Sequence, residues 1–155
     1  MNSPSFDTLA AHRYFSAACF NGVWDLLEHP NRSSDDDTSL LAAAHASLWH
    51  WRQRPDCTSR NLSVGYWMLA RVYAVLGSAA EARRYGLLSL EAAALEPPFY
   101  QGYAHEALAR AARAAGELQV AETHLAEARR FAEQVAEADE RAMLENDLAQ
   151  LAGRN

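Results

Sequence analysis

Apolar residues recur at three- and four-residue spacing along most of this chain, and runs that alternate strictly between apolar and polar residues are absent. The first spacing is typical of amphipathic α-helices, whereas alternation would indicate β-strands. Ser78 and Glu81 also have the spacing of a capping box at a helix start. The pattern predicts an all-α fold of about seven helices, at residues 7–28, 36–53, 61–76, 78–95, 99–115, 117–133 and 137–152. No glycine or proline separates the last two, so they could also run on as one helix.

Two segments of the chain carry the same signature, one repeat apart. The first consists of Tyr66-x2-Leu69-Ala70-x2-Tyr73-x3-Gly77-x4-Ala82. The second consists of His105-x2-Leu108-Ala109-x2-Ala112-x3-Gly116-x4-Ala121. Aligning the two glycines gives a period of about 39 residues, and a fixed period of this order indicates stacked helical hairpins. The small residues are expected where the two antiparallel helices of a hairpin touch.

This signature resembles the tetratricopeptide repeat, and the resemblance covers roughly residues 61–131, about half of the chain. Each unit is longer than the family's repeat of about 34 residues. The bulky aromatic residue usual in the second helix is Gly86 in the first unit and Leu125 in the second. The resemblance implies antiparallel helix pairs whose first helices line a concave groove. Residues 45–51 and 61–67 are also similar to a family of small bacterial proteins of unknown function.

The length of 155 residues suits one domain with a single core. We therefore expect one helical-repeat domain over residues 1–155. Its parts are an irregular N-terminal hairpin, two repeats and a C-terminal capping helix, at residues 7–53, 61–95, 99–133 and 137–152. The capping helix is expected because a helical stack needs a polar outer face at its end.

Composition and charge exclude several classes of function. The chain has 14 basic residues, all of them arginine, against 20 acids, which gives a net charge of −6. A protein that binds nucleic acid presents a clustered basic face, so nucleic acid is not an expected partner. No stretch has the length of a membrane span, and the N-terminus lacks a signal-peptide pattern, which predicts a cytoplasmic protein that does not bind membranes. Cys19 and Cys57 are too few for a disulfide framework and are expected to be reduced thiols.

The second and third predicted helices are apolar, aromatic or small around nearly their whole circumference, so we expect them to be buried on all sides. His45 and His50 lie in the second helix, about 140° apart around its axis. This separation prevents both rings from binding one metal ion. Each histidine is either a core residue hydrogen-bonded to a carbonyl or a tyrosine, or part of a functional site.

Arg71 is the one formally charged residue of segment 62–76. A guanidinium does not lose its proton when it is buried, so an anion or several hydrogen-bond acceptors must face it. The anion is either a ligand or an acid of the chain itself. The acids that we consider for such an ion pair are Glu106, Asp25 and Asp56.

The leading hypothesis is a non-enzymatic, tetratricopeptide-like module that binds a peptide or a partner protein in its concave groove. Arg71 is expected to hold a carboxylate of the ligand between apolar walls formed by Trp67 and Tyr103. Arg110 and Arg113 are expected to attract an acidic ligand to the rim. The predicted ligand-binding residues are Arg71, Trp67, His45, His50, Tyr66, Tyr103, Glu106 and Arg110. No catalytic residue, cofactor or metal site is predicted.

Two other functions fit the same sequence. One is a small all-helical enzyme or small-molecule-binding protein in which His45, His50 and Arg71 line a closed pocket and hold an anionic ligand. The other is a scaffold that forms a homo-oligomer through its groove or its last helix. A closed pocket that touches His45, His50 and Arg71 favours the enzyme, whereas an open groove favours the interaction module.

Overall fold

The protein is all-helical in the computed structural model, which describes residues 5–153. No strand occurs in this part of the chain, which confirms the all-α class. A break between residues 132 and 138 shows that the last two helices do not run on as one. The seven helices are α1 (Thr8–Glu28), α2 (Ser34–Arg52), α3 (Ser59–Val75), α4 (Ala79–Ala93), α5 (Pro98–Ala114), α6 (Leu118–Ala132) and α7 (Ala138–Ala152).

Consecutive helices pair as hairpins, with α1 on α2, α3 on α4 and α5 on α6. The hairpins stack through contacts of α2 with α3, of α4 with α5 and of α3 with α5. Helix α7 closes the stack by packing on α5 and α6. Helix α1 is set apart from α3, because no Cα of α1 lies within 8 Å of a Cα of α3. Only side chains therefore bridge these two helices.

The two central hairpins repeat at the interval that separates Gly77 from Gly116. Helices α5 and α6 begin and end exactly one such interval after α3 and α4 begin and end. A glycine closes the first helix of each hairpin in the left-handed region, with φ of +77° at Gly77 and +74° at Gly116. Glycine adopts this conformation without the steric cost that other residues incur. The helices of the N-terminal hairpin are longer and do not follow the interval.

Capping boxes set the starts of α2 and α3. Ser33 and Asp36 exchange side chain-to-backbone hydrogen bonds at the start of α2. Thr58 and Asn61 do the same at the start of α3. Each pair satisfies two backbone N–H groups that have no partner within the helix. These caps place the first residues of both helices slightly earlier in the chain than the apolar pattern predicts.

The capping box predicted at the start of α4 is wrong. Ser78 makes no side-chain hydrogen bond to the helix, and its ψ of 71° lies outside the extended conformation of an N-cap residue. Glu81 instead forms an ion pair with Arg84 one turn later. The spacing of the two residues was right, but Ser78 lies in the turn after α3, where its N–H donates to the carbonyl of Tyr73 at 2.8 Å, and its backbone does not adopt the N-cap conformation.

The prediction that α2 and α3 are buried on all sides is wrong for α2 and is met by only part of α3. Within residues 5–153 the backbone of α2 lies close only to α1 and α3, and His45 reaches α4 through its ring contact with Tyr85, so part of α2 faces solvent. Trp49 of α2 is 54% exposed, although its ring contacts His12 of α1. In α3 seven residues are buried, because the helix contacts α2, α4 and α5. Leu118 of α6 is also exposed, although it follows the helical spacing of the buried Ala121, Leu125 and Ala128.

The apolar core has two clusters. One lies between α1, α2 and α3 around Leu40 and Met68, and the other joins α5, α6 and α7 around Leu125 and Leu144. Both cysteines are free. Within residues 5–153 no helix combines the length and the apolar character needed to cross a membrane.

Candidate functional site

A cavity of about 400 Å³ lies on the face of the stack where α1, α3, α5 and α7 meet. The first helix of each hairpin contributes to this face, as the resemblance to the tetratricopeptide repeat implies. Its surface is almost wholly apolar and it is partly open to solvent. We call it the groove, and its wall consists of Phe20, Trp24, Ser63, Val64, Trp67, Phe99, Tyr100, Tyr103, Met143 and Asp147.

Six aromatic rings form a continuous chain along the groove wall. Each ring contacts the next with centroids between 5.0 and 6.5 Å apart, mostly edge to face. Aromatic pairs prefer edge-to-face contacts of this kind, which contribute about 0.5 to 1.5 kcal/mol each beyond the burial of area. In order, the chain runs Phe20, Trp24, Trp67, Tyr103, Phe99 and Tyr100.

A buried carboxylate links the two repeats beneath this wall. Glu106 of α5 is fully buried. The indole Nε1 of Trp67 donates a hydrogen bond of 2.9 Å to its Oε2. The Nε of Arg110 donates to its Oε1, and Nη1 of Arg71 lies 3.9 Å from the same oxygen. Buried carboxylates require such partners because desolvation otherwise disfavours their charge.

Arg71 lies on the aromatic chain with little exposure to solvent. Its side chain is 17% exposed, and its guanidinium carbon is 5.0 Å from the ring centroid of Trp24 and 5.7 Å from that of Trp67. Among the described residues no acceptor forms a hydrogen bond with its buried Nη1. Burial, with a smaller effect from the charge of Arg110, lowers the pKa of Arg71. Of the three acids considered for the ion pair, only Glu106 lies within 4 Å.

The second carboxylate of the site belongs to the groove wall. Asp147 of α7 accepts a hydrogen bond of 2.9 Å from the hydroxyl of Tyr103 through its Oδ2. Burial, together with the charge of Asp147, raises the pKa of Tyr103. Tyr103 therefore stays protonated and remains a donor to Asp147 at any physiological pH.

The arginines expected to attract an acidic ligand are bound to acids of the chain. Arg110, only 9% exposed, holds Glu106. Arg113 Nη2 lies 3.2 Å from Glu122 Oε1 on α6. An anionic ligand would have to compete with both carboxylates for these guanidinium groups.

His45 and Tyr66 lie on the other side of α3, away from the groove wall. His45 Nε2 is 3.0 Å from the hydroxyl of Tyr73, and its ring contacts Tyr85 edge to face. Burial lowers the pKa of His45, so the ring is neutral at pH 7. The ring of Tyr66 is 6.3 Å from that of Tyr85. His45 is thus a half-buried histidine that is hydrogen-bonded within a tyrosine cluster.

His50 belongs to a separate cluster at the outer end of the first hairpin. Its Nδ1 is 2.8 Å from Nδ1 of His12, and its ring also contacts Phe15 and Trp49. The contacts of His45, His50 and Arg71 thus involve three different sets of residues, so the structure does not bring these three side chains into one pocket. Within residues 5–153 no group of three or more histidine, cysteine or acidic side chains is placed to hold a metal ion.

The sequence analysis did not identify several residues of the groove wall. Phe20, Phe99 and Tyr100 carry no distinguishing motif, and Met143 and Asp147 lie in a helix interpreted as a cap or as an oligomer interface. The order of the helices along the chain could have identified these residues. Because the first helix of each hairpin lines the groove, the facing positions of α1 and α7 could have been added to those of α3 and α5.

Comparisons of the chain with protein-family models, with curated proteins and with solved structures found no match. The geometry and chemistry of the groove therefore carry the functional proposal.

Proposed function

We propose that this chain is a non-enzymatic, tetratricopeptide-like interaction module that binds an apolar segment of a peptide or partner protein in the groove. The observation that carries the proposal is the continuous chain of six aromatic rings along an apolar cavity that is open to solvent. Aromatic residues in a desolvated pocket are typical of the places where protein interfaces gain most of their affinity.

The size of the groove suits one or two large side chains of a partner. An aromatic side chain that buries about 150 to 250 Å² gains roughly 4 to 6 kcal/mol from removal of apolar surface from water. Two such side chains gain roughly 8 to 12 kcal/mol before the cost of ordering the segment is subtracted, and a micromolar dissociation constant requires about 8 kcal/mol after it. A micromolar, reversible complex is therefore the expected type of interaction.

The enzyme hypothesis receives no support from the placement of its residues. His45 and His50 contact different clusters, and neither lies in the groove wall. A small apolar molecule is the second candidate ligand, because the groove volume falls within the range of small-molecule sites, about 300 to 1,000 Å³. The partial opening of the groove to solvent favours a segment of a partner.

Selection from a peptide display library tests the proposal. Val64 lies in the groove wall, and Val64→Arg places a charged side chain across it. Leu87→Arg is the matched control, because Leu87 is exposed on α4, which does not contribute to the groove. We expect selected peptides to share an aromatic or large aliphatic residue and to bind Val64→Arg at least about tenfold more weakly, with unchanged binding to Leu87→Arg.

Circular dichroism and thermal denaturation of both variants show whether the fold is retained. Peptides that bind Val64→Arg as tightly as the unmodified protein would place the interaction elsewhere and overturn the proposal. Apolar small molecules that displace the selected peptides would instead identify the groove as a small-molecule site.

A further inference from the structure

We infer that the segment bound in the groove presents a cation on an apolar stem, such as a basic side chain, with its charged end at Asp147. This inference rests on the proposed function, and it specifies the chemistry of the ligand. It differs from the acidic ligand that the arginines of the sequence suggested. Three features of the groove support it.

The first feature is the carboxylate in an otherwise apolar wall. Among the described residues Asp147 accepts one hydrogen bond, from the hydroxyl of Tyr103 at 2.9 Å. An ionised carboxylate has about four acceptor positions, so Tyr103 leaves acceptor capacity on Asp147. Because Tyr103 belongs to both the ring chain and this hydrogen bond, an apolar stem on its ring brings an attached ammonium or guanidinium group to the carboxylate.

The second feature is that this aromatic chain already binds two cations. The guanidinium carbon of Arg60 lies 4.9 Å from the ring centroid of Tyr100, and that of Arg71 lies 5.0 Å from Trp24. Both distances are within the range of about 6 Å in which a ring face attracts a cation. Arg71 also lies 5.7 Å from Trp67, whereas the rings of Tyr103 and Phe99, between Trp67 and Tyr100, have no arginine over their faces among the described residues.

The third feature is the charge balance. Arg71 and Arg110 beneath the wall are balanced by Glu106 and Asp147, so these four groups sum to zero. Arg71 is not part of the groove wall, whereas Asp147 is. The whole chain carries a net charge of −6, which raises the local concentration of cations and lowers that of anions. A cation therefore approaches this groove more favourably than an anion does.

Three probes of nearly equal size and different charge test the inference: phenethylammonium, 2-phenylethanol and 3-phenylpropionate. Their binding to the full chain is measured near pH 7 at low salt by calorimetry or by saturation-transfer NMR. We expect phenethylammonium to bind at least about fivefold more tightly than the alcohol, and the carboxylate to bind most weakly.

Two variants locate the charge preference. Asp147→Asn keeps an acceptor for the Tyr103 hydroxyl and removes the charge, so the preference for the cation over the alcohol should fall below about twofold. Asp139→Asn is the control, because Asp139 is exposed in the first turn of the same helix and lies outside the groove wall. It should leave the preference unchanged.

Each remaining outcome overturns the inference. Equal binding of the alcohol and the cation, or no binding of any probe, would show that Asp147 does not select the ligand. Tightest binding of 3-phenylpropionate would assign the ligand's charged end to Arg71. In all these cases the proposed function is judged separately, because it depends on the peptides selected by display and on their sensitivity to Val64→Arg.

Discussion

Trp67 and Glu106 occupy the same position in successive repeats, and the indole of the first is hydrogen-bonded to the carboxylate of the second. One turn further along, Arg71 and Arg110 are also separated by one repeat, and both face the same oxygen of Glu106. Equivalent positions meet because α3 packs on α5. A single buried carboxylate therefore serves both repeats and holds the base of the groove together.

Glu106→Gln should destabilise the protein strongly. The change leaves Arg71 and Arg110 without the carboxylate that they share in a largely buried place. Removing one partner of a buried ion pair costs about 3 to 5 kcal/mol in the free energy of unfolding, which urea denaturation measures. The control is Glu122→Gln, since this exposed acid also pairs with an arginine and should cost less than about 1 kcal/mol. Equal losses in both variants would contradict the role assigned to Glu106.

Arg71→Met should cost far less stability than Arg110→Met. Arg110 forms the hydrogen bond to Glu106, whereas Arg71 stands at 3.9 Å with a buried Nη1 that has no acceptor among the described residues. Methionine keeps much of the apolar stem of Arg71 and removes only the guanidinium that lies over Trp24. We expect a change within about 1 kcal/mol for Arg71→Met and a loss of about 3 to 5 kcal/mol for Arg110→Met. Thermal denaturation of both variants compares them, and a larger loss for Arg71→Met would reverse the assignment.

Ala82→Leu and Ala121→Leu should each destabilise the protein by about 1 to 3 kcal/mol, because a close helix contact leaves no room for the added carbons. Both alanines are fully buried and hold the same position in the two hairpins. Ala80→Leu provides the control on α4, where Ala80 is exposed. Urea denaturation should show little change for the control. If all three variants unfold at the same urea concentration, the helices of a hairpin do not touch at Ala82 and Ala121.

Acidification should destabilise the contact between α5 and α6. His105 Nδ1 lies 3.1 Å from His124 Nδ1. Burial, followed by repulsion from His124, lowers the pKa of His105, and burial followed by repulsion from Arg83 lowers that of His124. Glu127 opposes both shifts, and Arg130 adds to that of His105. The unfolded chain then binds more protons, so the free energy of unfolding decreases as the pH falls below about 6.5.

The double variant His105→Tyr, His124→Tyr tests this dependence. It reproduces Tyr66 and Tyr85, which hold the same positions one repeat earlier and whose rings contact each other. Denaturation at about pH 8 and about pH 5 should show a smaller loss on acidification in the double variant than in the unmodified protein. His29→Gln is the control, since His29 is exposed beyond the end of α1. An unchanged pH dependence in the double variant would show that other groups, such as carboxylates, account for it.

Helical periodicity, the two turn glycines and the repeated signature were enough to predict the all-α class and the two central hairpins. These features are local, because a helix depends on residues three or four apart and a left-handed turn depends on one glycine. The start of α4 could not be predicted in the same way. Ser78 has the right neighbours in sequence for a cap, but its backbone conformation follows from the turn before it.

The sequence by itself also determined that a charged residue had to find a partner inside the stack, because Arg71 lies among apolar neighbours and does not lose its proton. Only the tertiary structure decided that Glu106 lies 3.9 Å from Arg71 and accepts a hydrogen bond from Arg110 instead. It also decided that Trp24 of the first helix and Asp147 of the last line one cavity. The reason is that the groove forms between helices distant in the chain, and the packing of complete hairpins sets which side chains meet there.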